Sequence, residues 1–299
     1  MTFVRLLVSG AVLVLLFSRF APDEVLDGLL RANPAWLAAG FAAYMAAQFV
    51  SAMRWHRIAR GVSFTTPFVP CLRFYLIGMF FGLAVPSTLG ADGARALLLG
   101  REPPGRARAL SAVVFDRLVG LAMLFAVAVL ALLLGPSETL PRSVVTTVAG
   151  VGSALVVAWA LAPRLARLLP AQSRLRRLAD EDLAPFFHDG RLLAAAALLS
   201  LGVHALQIVA QKFLTEALGL DVSWGFVAIY HPLVALAAAV PLTVGGFGLR
   251  EATYAFLLPH VGVGPDDAIA LGLLWWAVGA LGGLVGGVVY GLGGDRVRS

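Results

Sequence analysis

One stretch of this chain occurs twice. Residues 75–95, YLIGMFFGLAVPSTLGADGAR, and residues 230–250, YHPLVALAAAVPLTVGGFGLR, align without a gap at an offset of 155. Tyr75 falls on Tyr230, Ala84-Val85-Pro86 on Ala239-Val240-Pro241 and Thr88 on Thr243. Gly90 falls on Gly245, Gly93 on Gly248 and Arg95 on Arg250. Apolar coincidences come cheaply in an apolar chain. Proline, threonine, glycine and arginine in one fixed order do not, so the two stretches read as an internal repeat. Each copy is an apolar arm, a break at a proline and a charged turn. The first arm, over 74–85, makes a helix of about 18 Å, too short for a hydrocarbon core of about 30 Å.

Composition supplies the medium. The chain has 299 residues, of which 60% are hydrophobic and 13% charged; a soluble domain carries about 25% charged residues. This is an all-α polytopic membrane protein, read as one integral membrane domain over 1–299. A single cysteine, Cys71, excludes an intrachain disulfide and a cysteine metal cluster. The net charge of +6 belongs with cytosolic loops and anionic headgroups rather than with nucleic acid.

Full-length apolar spans are expected at 2–20, 34–53, 109–134, 143–161, 192–218 and 268–292. The leucine run after Arg5 has no small-residue cleavage site, so it reads as an uncleaved helix. Arginines mark the cytoplasmic loops. Segments 54–60, 101–108 and 164–177 hold 3, 3 and 5 arginines, and the C-terminus holds 2. Segments 19–33, 135–142, 217–222 and 259–267 hold 2, 1, 0 and 0. Both loops around the first motif are then cytoplasmic and both around the second external, so each motif enters and leaves by one side. The expected architecture is six membrane crossings plus two re-entrant helical hairpins. Repeat 1 covers 1–134 with its hairpin at 67–100; repeat 2 covers 142–292 with its hairpin at 223–258. Three crossings per repeat make the two repeats opposite in orientation, an arrangement shared by many transporters. Eight full spans are the alternative. Residues 163–189 are expected to form a basic amphipathic linker on the cytoplasmic surface, with both termini also cytoplasmic.

Ionisable groups at membrane depth are costly unless paired or hydrated, so they mark candidate sites. They are Asp92 and Arg95 in the first hairpin, Asp116 and Arg117 in the next span, and Arg250 and Glu251 in the second hairpin. The breaks are assigned to Pro86, Thr88 and Gly90, and to Pro241, Thr243 and Gly245. Freed N–H groups there and the forked guanidinium of arginine both suit a phosphate or carboxylate. The plain alternative is structural pairing: Asp92 with Arg95, Asp116 with Arg250, Arg117 with Glu251. His204 and Lys212 lie two turns apart on one helix with Gln211 nearby, either as a buried polar stripe or as a proton relay. No HExxH, GxSxG or GxxxxGK[ST] pattern occurs, so the chain is expected not to be an enzyme and to hold no metal or cofactor.

These residues resemble the transmembrane region of the lysylphosphatidylglycerol synthases, also called flippase-like membrane proteins. The resemblance runs from about Asn33 to Gly287 and rests on Arg54-Trp55, on Tyr75 with Gly78-Met79-Phe80-Phe81, and on Pro86 with Gly90-Ala91-Asp92-Gly93 and Arg95. It continues through Asp116-Arg117-Leu118 and through Pro241 with Gly245-Gly246-Phe247-Gly248 and Arg250-Glu251. Gly90-Ala91-Asp92 stands where the family pattern has Gly-Gly-Asp. In the full synthases this region is associated with moving aminoacylated phosphatidylglycerol across the bilayer, and a cytosolic domain makes that lipid. The chain ends at Ser299 without such a domain, so the resemblance implies a stand-alone transporter of lipids or lipid-linked molecules. It places Asp92, Arg95, Asp116, Arg117, Arg250 and Glu251 on family motif positions.

The expectation is therefore a flippase or scramblase in the cytoplasmic (inner) membrane. Its partners are membrane lipids, an anionic phospholipid or a polyprenyl-linked lipid, with Arg95 and Arg250 holding the headgroup near the midplane. A carrier of a small soluble anion and a non-transporting membrane partner of a lipid-modifying enzyme are the alternatives. A homo-oligomer is compatible with each.

Overall fold

The computed structural model describes residues 27–84, 88–134, 189–239 and 246–293, with isolated positions between 142 and 186. The expected span at 2–20, most of 143–161 and of the 163–189 linker, and the break residues Pro86, Pro241, Thr243 and Gly245 lie outside the described residues. So does the side chain of Thr88. Among the described residues every regular element is helical.

The chain is bounded by helix caps its sequence announces. Helix α1 (Pro34–Gly61) starts on Pro34 at a first-turn position, and the side chain of Asn33 accepts from the Ala35 N–H at 2.9 Å. Helices α2 (Phe68–Ala84) and α3 (Thr88–Leu99) form the first hairpin, followed by α4 (Arg106–Leu134). Helix α5 (Gly190–Ala217) is capped by Asp189, whose carboxylate accepts from Arg191 and Leu192. Helices α6 (Trp224–Ala239) and α7 (Leu249–Leu257) form the second hairpin, continued by a single 3₁₀ turn, Leu258–Val261. Helix α8 (Pro265–Leu292) again starts on a proline.

Among the described residues four helices, α1, α4, α5 and α8, are long and apolar enough to cross a membrane; at 28 or 29 residues each they run to about 42 Å. The hairpin arms do not reach that length. Helix α2 has 17 residues, about 25 Å, and begins six residues earlier than the sequence suggested. Pro70 falls in its first turn, where the missing N–H would have had no helical partner. Helix α3 has 12 residues, α6 has 16 and α7 has 9. Helix α1 also differs from expectation. It continues two turns past Met53, so Arg54 is inside the helix and buried, not in a loop. Its charge is tolerated there because it meets Asp116 of α4.

The packing is helix on helix. Helices α1 and α5 lie against each other along their length and antiparallel. Trp36 stacks near Phe213, Gly40 meets Leu214, Arg54 reaches Ser200 and Gly61 meets Leu192. The Asn33 N–H donates to the Ala217 carbonyl at 2.8 Å, joining the start of one helix to the end of the other. Helix α2 packs on α3 and on α8, and α6 on α7 and on α4. One core gathers around Trp55, Phe115 and Phe186, the last two stacked at 4.2 Å between ring centres. A second gathers around Phe226, Tyr230 and Tyr254. Leu133, Leu134 and Leu198 face outward with more than two thirds of their surface uncovered, as a lipid-facing wall requires.

Candidate functional site

The charged residues of α1, α3 and α4 meet in one string. Arg54 on α1 donates from Nε to Asp116 Oδ1 at 2.7 Å. The other oxygen of Asp116 accepts from Arg95 on α3 at 3.4 Å. Arg95 also donates to Asp92, one turn back on the same helix. Asp92 then accepts from Arg117, whose Nε lies 2.9 and 3.1 Å from its two oxygens and whose NH2 lies 2.9 Å from Oδ1. The order is Arg54, Asp116, Arg95, Asp92, Arg117: three guanidiniums alternating with two carboxylates.

The string is graded in exposure. Side-chain exposure is 9% at Arg54, 3% at Asp116 and 4% at Arg95. It rises to 18% at Asp92 and 53% at Arg117. The deep end is also held by neutral groups. Arg54 NH1 donates to Ser200 Oγ at 2.8 Å, and that hydroxyl donates to the Ala196 carbonyl. Arg95 lies over the rings of Tyr75 and Trp55, at 4.9 and 5.4 Å from their centres. The Tyr75 hydroxyl donates to Gln48 Oε1 at 3.2 Å. Two glycines make this approach possible. A Cβ on Gly78 would sit 2.7 Å from Arg95 Cγ and 2.9 Å from the Ala91 carbonyl oxygen. A Cβ on Gly120 would sit 3.2 Å from Arg54 NH1.

The second hairpin carries a closed pair. Arg250 donates from Nε and NH2 to Glu251 Oε1 at 2.9 and 2.7 Å, and lies over the Phe247 ring. Glu251 Oε2 accepts from the Gly248 N–H at 2.6 Å, so the same carboxylate caps the start of α7. Gly248 and Gly246 both have positive φ, +86° and +78°, which glycine adopts without a Cβ clash. Glu251 is fully buried. Exchanging it for Gln keeps its size but removes the charge that neutralises Arg250. A loss of about 2–4 kcal/mol is expected, seen as a lower melting temperature in detergent; an unchanged melting temperature would mean that the pair contributes nothing.

The structure thus brings Asp92, Arg95, Asp116 and Arg117 together and pairs Arg250 with Glu251 separately. Asp92 pairs with Arg95 as one expectation had it. Asp116 closes on Arg54 and Arg95, not on Arg250, and Arg117 closes on Asp92, not on Glu251. Asp92–Arg95 and Arg250–Glu251 close within one helix, while Asp116 joins α4 to α1 and α3, and Arg117 joins α4 to α3. Gly90 falls in the first turn of α3, two residues past its start. Lys212 forms an i,i+4 pair with Glu216, while His204 and Gln211 join a different set of bonds. Arg54, the deepest cation of the string, is a site residue that sequence reasoning misses. Its only signal there is the Arg54-Trp55 pair, because an arginine at the end of an apolar run reads first as a loop charge.

A family model described as the lysylphosphatidylglycerol synthase TM region matches residues 2–287. The chain belongs to that family, a multi-pass membrane domain associated with flippase-like function and distinct from the catalytic part of the synthases. No curated protein and no solved structure matches the chain significantly.

Proposed function

We propose that this member of the lysylphosphatidylglycerol synthase transmembrane-region family moves a lipid or lipid-linked anion between leaflets, engaging the anionic headgroup at the string that ends in Arg117. The observation that carries this reading is the charge order. Three arginines against two aspartates leave the string one positive charge in excess, and the excess sits at its half-exposed end. In a low-dielectric interior the next member of an alternating series is an anion. The guanidinium of Arg117 presents the forked donors a phosphate takes. The lipid tails would stay in the bilayer, and Arg250 in the second hairpin would be the counterpart of Arg95.

Alternating access by two inverted repeats is part of this proposal. Adding 155 to Pro34–Gly61 gives 189–216, against Gly190–Ala217 observed for α5. Adding 155 to Phe68–Ala84 gives 223–239, against Trp224–Ala239 for α6. For α4 the shifted range is 261–289, against Pro265–Leu292 for α8. Equivalent helices α1 and α5 run antiparallel, which supports opposite orientation of the two halves. With arginine-rich loops inside, both termini would be cytoplasmic and the membrane the cytoplasmic one.

The test uses tail-labelled fluorescent phosphatidylglycerol in liposomes, with dithionite quenching of the outer leaflet. Wild type is expected to accelerate its translocation. Arg117→Ala, at the exposed end where folding depends on it least, is expected to lower the rate about tenfold or more, the loss of one charge-assisted contact. Full translocation by folded Arg117→Ala and Arg250→Ala variants would overturn the headgroup role. Equal acceleration of labelled phosphatidylcholine would show that headgroup charge is not what is recognised.

A further inference from the structure

Beside the ion string runs a second line of buried polar groups that the transport reading does not use. It joins four helices. The Tyr254 hydroxyl on α7 donates to Gln211 Oε1 on α5 at 2.8 Å. Gln211 Nε2 lies 2.7 Å from His231 Nδ1 on α6. His231 Nε2 lies 3.5 Å from His204 Nδ1, back on α5. His204 Nε2 lies 3.2 Å from the Gly120 carbonyl oxygen on α4. Gly120 is also the residue against which Arg54 rests, so the line ends beside the ion string.

The direction of every bond follows from its last acceptor. A carbonyl oxygen only accepts, so His204 carries its proton on Nε2. A neutral His204 then accepts on Nδ1, so His231 donates from Nε2. A neutral His231 accepts on Nδ1, so Gln211 turns its amide N–H toward it and its oxygen toward Tyr254, whose hydroxyl donates. Both imidazoles are neutral Nε2–H tautomers, and all four bonds point one way, from α7 to α4.

The same line has room for one added proton. If His231 Nδ1 takes it, that nitrogen becomes a donor, Gln211 turns its oxygen to face it, and its N–H turns to the Tyr254 oxygen, which now accepts. The bonds from His231 to His204 and from His204 to Gly120 are unchanged. A second proton has no such place, because His204 Nδ1 is already engaged. The charged and titratable groups around the pair come from each neighbouring helix. Arg54 of α1 is paired with Asp116 of α4, and Lys212 of α5 with Glu216. Arg250 of α7 is paired with Glu251, one turn before Tyr254. Gln207 lies beside His204, Tyr230 packs on Tyr254, and α8 has no titratable side chain between Asp267 and Tyr290. Each of these cations is in contact with a carboxylate, Arg54 with one it shares with Arg95. Among the described residues no carboxylate faces the pair, so an added proton is held only by the reversed hydrogen bonds through Gln211 and Tyr254.

We infer that the His204–His231 pair is a proton-binding site that takes one proton on His231 and reports it, through Gln211, at Tyr254 of the second hairpin. The proton comes from hydronium, leaves water behind and forms one N–H bond to the Nδ1 lone pair. Coupling to substrate movement rests on the transport reading; binding of the proton does not.

The experiment is solid-state NMR of the full chain, labelled with ¹⁵N-histidine and reconstituted in liposomes, titrated from about pH 8 to about pH 3, a window carried below that of a solvated imidazole because burial disfavours the charged ring. The chain has five histidines, and His204→Gln and His231→Gln assign the two signals. Both are expected as Nε2–H tautomers at the alkaline end, with one ring gaining a second N–H on acidification. Tyr254→Phe, which removes the hydroxyl that accepts in the protonated state and keeps the ring, is expected to lower that midpoint by about half a pH unit or more. It also serves if the histidine variants do not fold. Two rings that stay neutral to the acid end, or a midpoint unmoved by Tyr254→Phe, would overturn the site. Lipid translocation is measured separately, so its failure leaves the proton result standing.

Discussion

Asp116→Ala is expected to be among the most damaging single substitutions in this chain, with a loss of about 3–5 kcal/mol of stability. Asp116 is 3% exposed at its side chain and lies between Arg54 and Arg95, at 2.7 and 3.4 Å. Without it two buried guanidiniums face each other with no carboxylate between them. The packing around them cannot adjust: Gly120 closes one side of Arg54, and Gly78, Trp55 and Tyr75 close around Arg95. The measurement is the melting temperature of the purified protein in mild detergent, with size-exclusion behaviour as the check on folding. Asp92→Ala is the internal control. It removes the same chemistry from a shallower place, next to an arginine that is 53% exposed and can turn to headgroups or water, so it should cost clearly less. The double replacement Arg54→Met with Asp116→Leu removes a charged pair together and should recover part of the loss, because burying the pair itself carries a desolvation cost. Equal melting temperatures for Asp116→Ala and Asp92→Ala would refute the graded burial of the string.

How much of this site is legible in the amino-acid sequence depends on which residues hold which. Pro86, Arg95, Pro241 and Arg250 recur in order, and that order alone locates two broken helix pairs, α2 with α3 and α6 with α7. The charges that matter are visible too, because an aspartate or arginine inside an apolar run stands out. Their partners are not. Asp116 has Arg54, Arg95 and Arg250 within plausible reach, and helix periodicity ranks none of them; only the close contact of α1 with α4 puts Arg54 first. Arg54 itself is hidden because burial of an arginine 62 positions from its carboxylate leaves no local trace. The Tyr254–Gln211–His231–His204 line is equally hidden, since its members come from three helices and only His204 and Gln211 share one. The first apolar span and the basic linker fall outside the described residues, so the six-crossing count rests on apolar length and arginine position.

Gly286→Leu is expected to prevent correct assembly of the first hairpin. A Cβ at Gly286 would overlap the carbonyl oxygen of Leu76 and lie 2.7 Å from its carbonyl carbon. That obstacle is backbone, so no rotamer change relieves it. At the neighbouring positions the obstacles are side chains, one of them from α1. A Cβ at Gly282 meets Tyr44 at 2.8 Å, one at Gly283 meets Leu83 Cγ at 2.8 Å, and one at Gly287 meets Phe80 at 2.8 Å. Helix α8 therefore presents a glycine face on which α2 lies in backbone contact, the close approach that small residues permit between membrane helices. Overpacking costs about 1–3 kcal/mol where side chains can shift; against backbone the cost should reach or exceed the top of that range. The effect also travels. Helix α2 carries Tyr75 and Gly78, which seat Arg95, so displacing α2 from α8 pulls the cation away from Asp116. The aligned sequence positions offer a contrast inside the same molecule. At the offset of 155, Gly286 falls on Ala131 of α4, and α6 is one of the helices that pack on α4. That crossing has no matching glycine face, since positions 127, 128, 131 and 132 are Val127, Ala128, Ala131 and Leu132. The second hairpin meets α8 elsewhere, through α7, where a Cβ on Gly272 would lie 3.3 Å from Glu251 Cα. Gly291→Leu, where nothing lies within 4 Å, should leave melting temperature unchanged, and Ala131→Leu should cost less than Gly286→Leu. Folded, fully stable Gly286→Leu protein would show that α2 and α8 are not in the contact described.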